Sequence, residues 1–117
     1  MSPDSGGPVR VLIVDDHPVV RQGLRSMLAA DDVEVVGEAG NGSDAVALVD
    51  ELRPDVAIMD IRMPDMDGLS AMAAMKRRSV TTSVIVLTTY SNMQYLVRAV
   101  VYGAAGYFMK GISRDEL

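Results

Sequence analysis

The sequence predicts an α/β domain: a parallel sheet of five strands covered by helices on both faces. Two observations predict it. Short apolar runs rich in Val and Ile alternate along the chain with longer segments of helical period, the signature of successive βα units. With 117 residues, 49% hydrophobic and 23% charged, the chain has the length and composition of one globular domain that needs no disulfide or metal to fold.

The first strand is VRVLIV, running straight into Asp15 and Asp16. A helix follows in PVVRQGLRSMLAA, where Pro18 suits the first turn and Val20, Leu24, Met27 and Leu28 share one face. The second strand is DVEVVGEA, and the second helix SDAVALVDEL, for which Ser43 is the expected cap. DVAIMD is the third strand, ending on Asp60, and DGLSAMAAMKRR the third helix, with Asp67 as its cap and Met72 and Met75 as core filler. SVIVLTT, SNMQYLVRAVVYG and GYFMK complete the pattern as strand, helix and strand, Gly103 ending that helix. The near-continuous apolar runs of strands 1 and 3 suit the doubly covered centre of the sheet. Ser113 and Glu116 form a capping-box pattern for a last helix, expected to be truncated because the sequence stops about one turn later.

Composition narrows the function. The net charge of -5 disfavours nucleic acid as a direct partner, since phosphate contacts need clustered Lys and Arg. Cysteine is absent, so thiolate metal sites and disulfides are excluded. The opening MSPDSGGPVR lacks the pattern of a secretory signal, and no apolar run approaches the ~20 residues of a membrane span. The expectation is a soluble cytoplasmic domain over residues 8–117 behind a disordered tail at 1–7.

Function is expected beyond the carboxyl ends of the strands, where open parallel sheets gather their ligands. Asp15 and Asp16 follow strand 1, Asp60 ends strand 3, Thr88 ends strand 4 and Lys110 ends strand 5, so all five converge on one edge. Two carboxylates ~4 Å apart repel by about 4 kcal/mol at an effective dielectric near 20. A raised pKa, Lys110 or a divalent cation can each offset this. Mg²⁺ takes oxygen ligands and binds through one or two carboxylates plus a phosphate oxygen, so such a site is suited to a phosphoryl group. Asp60 is then the candidate nucleophile, forming an aspartyl phosphate, because strand 3 is central and Pro64 and Gly68 keep the following loop IRMPDMDG open. Lys110 adds positive charge and the Thr88 hydroxyl donates to the phosphoryl group.

These residues resemble the receiver domains of two-component response regulators: the acidic pair Asp15-Asp16, Asp60 followed by Met63-Pro64 and Gly68, then Thr88, Tyr107 and Lys110. The wording DDHPVVRQGL, GEAGNGSDAV, DIRMPDMDGL and GAAGYFMKG is similar to the NarL/FixJ (LuxR-type) subfamily of transcriptional regulators. The resemblance implies a flavodoxin-like sheet of order 2-1-3-4-5 and a signalling domain in place of an enzyme. It implies a sensor histidine kinase as phosphodonor, Mg²⁺ as cofactor, and a homodimer promoted by phosphorylation. It also implies a helix-turn-helix output domain that carries DNA binding in the full-length protein. By the same resemblance Asp16 and Asp60 ligate Mg²⁺ with the Arg62 backbone carbonyl, Asp15 acts through water, and Thr88 and Tyr107 form a switch pair. One departure is that Gly111, not proline, follows Lys110.

Other readings are weaker. Asp15 or Asp16 as a plain helix cap leaves Asp60 and Lys110 at the same edge unexplained. His17 is read as a surface or first-turn residue, not a ligand. A haloacid-dehalogenase-like hydrolase calls for an acid two residues after the nucleophile, where Arg62 stands, and a flavodoxin-like cofactor binder for a phosphate-cradling loop in place of DDHP. A pseudo-receiver, a phosphorylation-independent interaction module, is the remaining alternative. Tyr90 and Arg62 are placed to screen the phosphoryl group from water, and Leu96, Val97, Val100 and Val101 are too many for one face of their helix, which suggests a protein-contact face.

Overall fold

A computed structural model describes residues 7–29, 32–60, 68–78, 81–88 and 104–109. The elements run β1 (Val9–Val14), α1 (Pro18–Met27), β2 (Val33–Ala39), α2 (Gly42–Leu52), β3 (Val56–Met59), α3 (Gly68–Arg77), β4 (Ser83–Thr88) and β5 (Gly106–Met109). The helices expected over SNMQYLVRAVVYG and after Ser113, together with Asp67, Tyr90, Arg62, Lys110 and the Leu96–Val101 surface, lie outside the described residues.

All neighbouring strands pair in parallel, in the order β2-β1-β3-β4-β5. The apolar strands β1 and β3 are therefore interior, as their continuous hydrophobicity requires. Successive side chains of a strand point to opposite faces, and this alternation divides the core in two. Val11, Ile13, Ile58 and Leu87 pack on one face under Leu24, with Val20, Met27 and Leu28 of the same α1 stretch beside them. Leu12, Val14, Ala57, Met59, Val84 and Val86 face the other way, against Ala45, Val46 and Val49 of α2 and Ala71, Met72, Ala74 and Met75 of α3. Met72 and Met75 are core filler, each 2% exposed.

Two expectations are corrected. The cap of α2 is Asn41, not Ser43: Asn41 has extended backbone and its side chain accepts from the Asp44 N–H at 2.8 Å, which leaves Ser43 exposed within the first turn. α1 ends at Met27 and not at Ala30. Leu28 leaves helical geometry at ψ 0, and the Ala29 N–H donates to Ser26 in a tighter last turn.

The two edges of the sheet use their polar residues differently. At the amino edge they are structural. The Arg10 guanidinium donates to the Leu52 and Arg53 carbonyls at the end of α2, and Asp55 accepts from the Arg10 N–H at 2.9 Å. Thr82 closes on the Pro54 carbonyl at 2.7 Å. At the carboxyl edge the acids gather. One extra residue of β2 opposite β1 shifts the register, so that Val11 faces Val35 but Leu12 faces Gly37. A Cβ on Gly37 would stand 3.1 Å from Leu52 Cδ1 and 3.3 Å from Leu12 Cδ1, so a side chain there needs those leucine ends to give by a few tenths of an ångström.

Candidate functional site

β1 and β3 are adjacent, and the backbone ladder continues one residue past each of them. The Asp15 N–H donates to the Ala39 carbonyl and the Asp60 N–H to the Val14 carbonyl, both at 3.0 Å. Ladder spacing therefore sets Asp15 and Asp60 on neighbouring strand ends. Both acids are buried, Asp15 to 2% and Asp60 to 4% exposure, while Asp16 is partly open. Oxygens of Asp15, Asp16 and Asp60 and a ring nitrogen of His17 all lie within 4.8 Å of one another.

Neither acid of the pair caps α1, whose first position is preceded by His17 with no side-chain cap. Asp15 Oδ1 instead accepts from the His17 N–H at 2.9 Å, two residues on, which bends the chain between strand and helix. The His17 ring, although 63% exposed, turns Nδ1 to within 3.0 Å of Asp15 and 2.9 Å of Asp16. Sequence reading left His17 outside the site. Its position beside the acid pair was the only available signal, and the turn that brings the ring back is a tertiary feature.

The donor set suits a hard divalent cation. Three carboxylates supply oxygens at one point, and Asp16 Oδ1 is buried with no hydrogen-bond partner among the described residues, the His17 contact falling outside hydrogen-bond geometry. A buried carboxylate oxygen left in this state is costly unless a cation or donor reaches it. An oxygen-rich site of this kind fits Mg²⁺.

The remaining expected site residues divide by position. Thr88 is the last residue of β4 and pairs in register with Met109, so β4 and β5 terminate together on the edge that carries Asp60. Tyr107 lies in β5 opposite Val86.

Behind the pocket stands a second polar group that periodicity did not reveal. Glu38 of β2 accepts from Arg21 Nε at 3.1 Å and from Arg25 Nε and Nη2 at 2.8 and 2.6 Å, while Arg21 Nη1 donates to the Asp15 carbonyl. The hydrogen bond from Arg25 holds the Glu38 carboxyl below the usual glutamate range, aided by the charge of Arg25 and by Arg21 and opposed by desolvation. A carboxyl with a lowered folded-state pKa contributes stability above its unfolded pKa and loses it as pH falls through the folded value. Glu38→Gln should therefore be less stable than wild type at neutral pH, with the difference in urea midpoint shrinking as pH is taken from about 6 to about 3. A difference independent of pH over that range would contradict the assignment.

Comparison with known proteins agrees with this geometry. Residues 11–117 match the response regulator receiver domain. The transcriptional regulatory protein YhcZ of Bacillus subtilis is 42% identical over 110 residues, covering 93% of this chain and 51% of YhcZ. The DNA-binding transcriptional activator DevR/DosR of Mycobacterium tuberculosis shows the same identity and the same two coverages, 93% and 51%. The chain thus spans about half the length of these relatives. Among solved structures, the signal receiver domain of NarL from Mycobacterium tuberculosis superposes with a TM-score of 0.90 at 38% identity, over 94% of this chain and 90% of that one. With an acid cluster at the carboxyl edge of a 2-1-3-4 parallel sheet and this match along nearly its whole length, the chain belongs to the response regulator receiver family, a signalling domain related to NarL-type transcriptional regulators and not a catalytic enzyme.

Proposed function

We propose that this domain accepts a phosphoryl group on Asp60 from a sensor histidine kinase, with Mg²⁺, and that the modification switches a DNA-binding output domain. The observation that carries the reading is the convergence of Asp15, Asp16 and Asp60 within 4.8 Å at the ends of β1 and β3. An Asp60 oxygen attacks phosphorus as the bond to the donor's leaving atom breaks, giving an acyl phosphate on the side chain. The cation, when bound, draws off charge from the transferring oxygens. Asp16 and Asp60 would hold it, with the Arg62 carbonyl as a further ligand and Asp15 acting through water. Burial of Asp60 restricts water at the acyl phosphate, and Arg62 and Tyr90 add bulk on the approach.

Lys110 balances the added charge and the Thr88 hydroxyl donates to the phosphoryl group. Movement of Thr88 with inward rotation of Tyr107 carries the switch to the outer face, where a homodimer forms. The relatives support the rest of the reading: they are about twice as long and are described as transcriptional regulators, in keeping with residues 8–117 as the receiver and a helix-turn-helix domain beyond it. DNA contact then belongs to that second domain. No helix among the described residues is long and apolar enough to cross a membrane, and we place the protein in the cytoplasm.

Intact mass after incubation with acetyl phosphate tests the reading, the phosphoryl–acetate bond breaking and acetate leaving. One phosphoryl group should be gained with Mg²⁺ and none without it. Asp16→Asn should need at least about tenfold more Mg²⁺ for half-maximal labelling, since it removes one charged ligand. Absence of labelling in every condition would favour a phosphorylation-independent interaction module.

A further inference from the structure

We infer that Arg21 is a positioning residue of the acidic pocket, held by Glu38 so that its guanidinium fixes the Asp15 carbonyl and thereby aims the Asp15-Asp16 turn at the cation. The inference rests on the pocket being a cation site, as proposed above, and goes beyond it by assigning a role to residues outside the carboxylate cluster.

The Asp15 carbonyl belongs to the peptide joining the two acids, so its orientation sets where the Asp16 side chain departs. That peptide lies between β1 and α1. Contacts from β2 fix the backbone on both sides of the Asp15 Cα. The Ala39 carbonyl takes the Asp15 N–H, which belongs to the preceding Val14-Asp15 peptide. Glu38, one residue earlier, acts through Arg21, whose Nε it accepts while Nη1 donates to the Asp15 carbonyl. The Arg21 backbone N–H also donates to the His17 carbonyl at 3.1 Å, which ties the first turn of α1 to the same loop. Only Arg has the planar fork that serves a carboxylate and a carbonyl at once.

A purely structural tie between α1 and β2 would not need Arg21. Arg25 already joins α1 to Glu38 through two bonds at the surface. What Arg21 adds is the bond to the peptide between the acids, made by a side chain only 21% exposed. Its charge gives the test a sign. A cation beside three carboxylates opposes Mg²⁺ if charge alone matters, so removing it would tighten binding; if it positions the turn, removing it weakens binding.

The experiment is a Mg²⁺ titration of the full chain, followed by the amide NMR shifts of Asp16 and His17, with urea midpoints measured in parallel. Arg21→Met keeps the aliphatic stem and removes the fork; its Kd for Mg²⁺ should rise about tenfold, the lower end of what loss of an outer-shell partner causes. Glu38→Ala should shift Kd in the same direction, which keeps the test open if Arg21→Met folds poorly. Glu38→Gln retains an acceptor for Arg21 Nε and should recover most of the affinity. An Arg21→Met or Glu38→Ala protein with unchanged or tighter Mg²⁺ binding and only a lower urea midpoint would overturn the inference. Failure of the wild type to bind Mg²⁺ would overturn the pocket reading itself, and this inference with it, so the two failures are told apart by the wild-type titration.

Discussion

Asp60→Asn should gain no phosphoryl group from acetyl phosphate at any Mg²⁺ concentration. The loss is complete because of geometry. Asp60 follows β3 with its N–H on the Val14 carbonyl, and it is buried beside Asp15 and the partly open Asp16. The three carboxylates differ in their surroundings. Asp15 Oδ1 accepts from the His17 N–H, and the His17 ring lies 3.0 Å from Asp15 and 2.9 Å from Asp16. Asp60 stands at the end of an interior strand, its N–H bonded to the neighbouring strand. An amide in its place keeps the shape and loses the nucleophile. Labelling of Asp60→Asn at a rate comparable to wild type would assign acceptance to another residue.

The second large effect is on stability. Leu12→Ala should cost about 3 to 5 kcal/mol, the range for truncating a fully buried leucine whose surroundings relax only in part. Leu12 is 0% exposed and sits in β1 opposite Ala57 on one side and Gly37 on the other. Its Cδ1 lies so close to Gly37 that even a methyl group on that residue would meet it at 3.3 Å. The residues that share its core cluster, Val46, Val49, Met59 and Met72 among them, are themselves tied into helices and strands, so the space closes only in part. A domain of this size has about 5 to 15 kcal/mol in total, so the variant should approach the limit of folding. Urea denaturation gives the measurement, as a lowered midpoint with the slope retained. A loss below about 1 kcal/mol would mean that the strand repacks.

Strand positions were legible in the sequence because interior parallel strands are apolar on both faces. The expected β1 coincides with Val9–Val14, β3 differs from expectation only by its terminal residues, and β4 is found over Ser83–Thr88, Thr89 lying outside the described residues. Helix ends were less legible, since they depend on local backbone choices that periodicity does not record. Asn41 and Ser43 both have side chains able to cap α2, and Ala45, Val46 and Val49 suit either start; the extended backbone at Asn41 decided between them. The acid cluster was readable because topology alone brings strand ends together. His17, Arg21 and Glu38 were not. Arg21 and Glu38 are seventeen residues apart, and their meeting depends on the register shift between Val11 and Leu12, which no local pattern announces.

The measurement that bears most directly on Asp60 as the acceptor is chemical trapping. Borohydride reduces an aspartyl phosphate to homoserine, so the domain would be labelled with acetyl phosphate and Mg²⁺, reduced, digested and sequenced by tandem mass spectrometry. Homoserine at position 60, with Asp15 and Asp16 unchanged, is the predicted result. Homoserine at position 15 or 16, or a phosphoryl group retained on His17 with Asp60 intact, would contradict it.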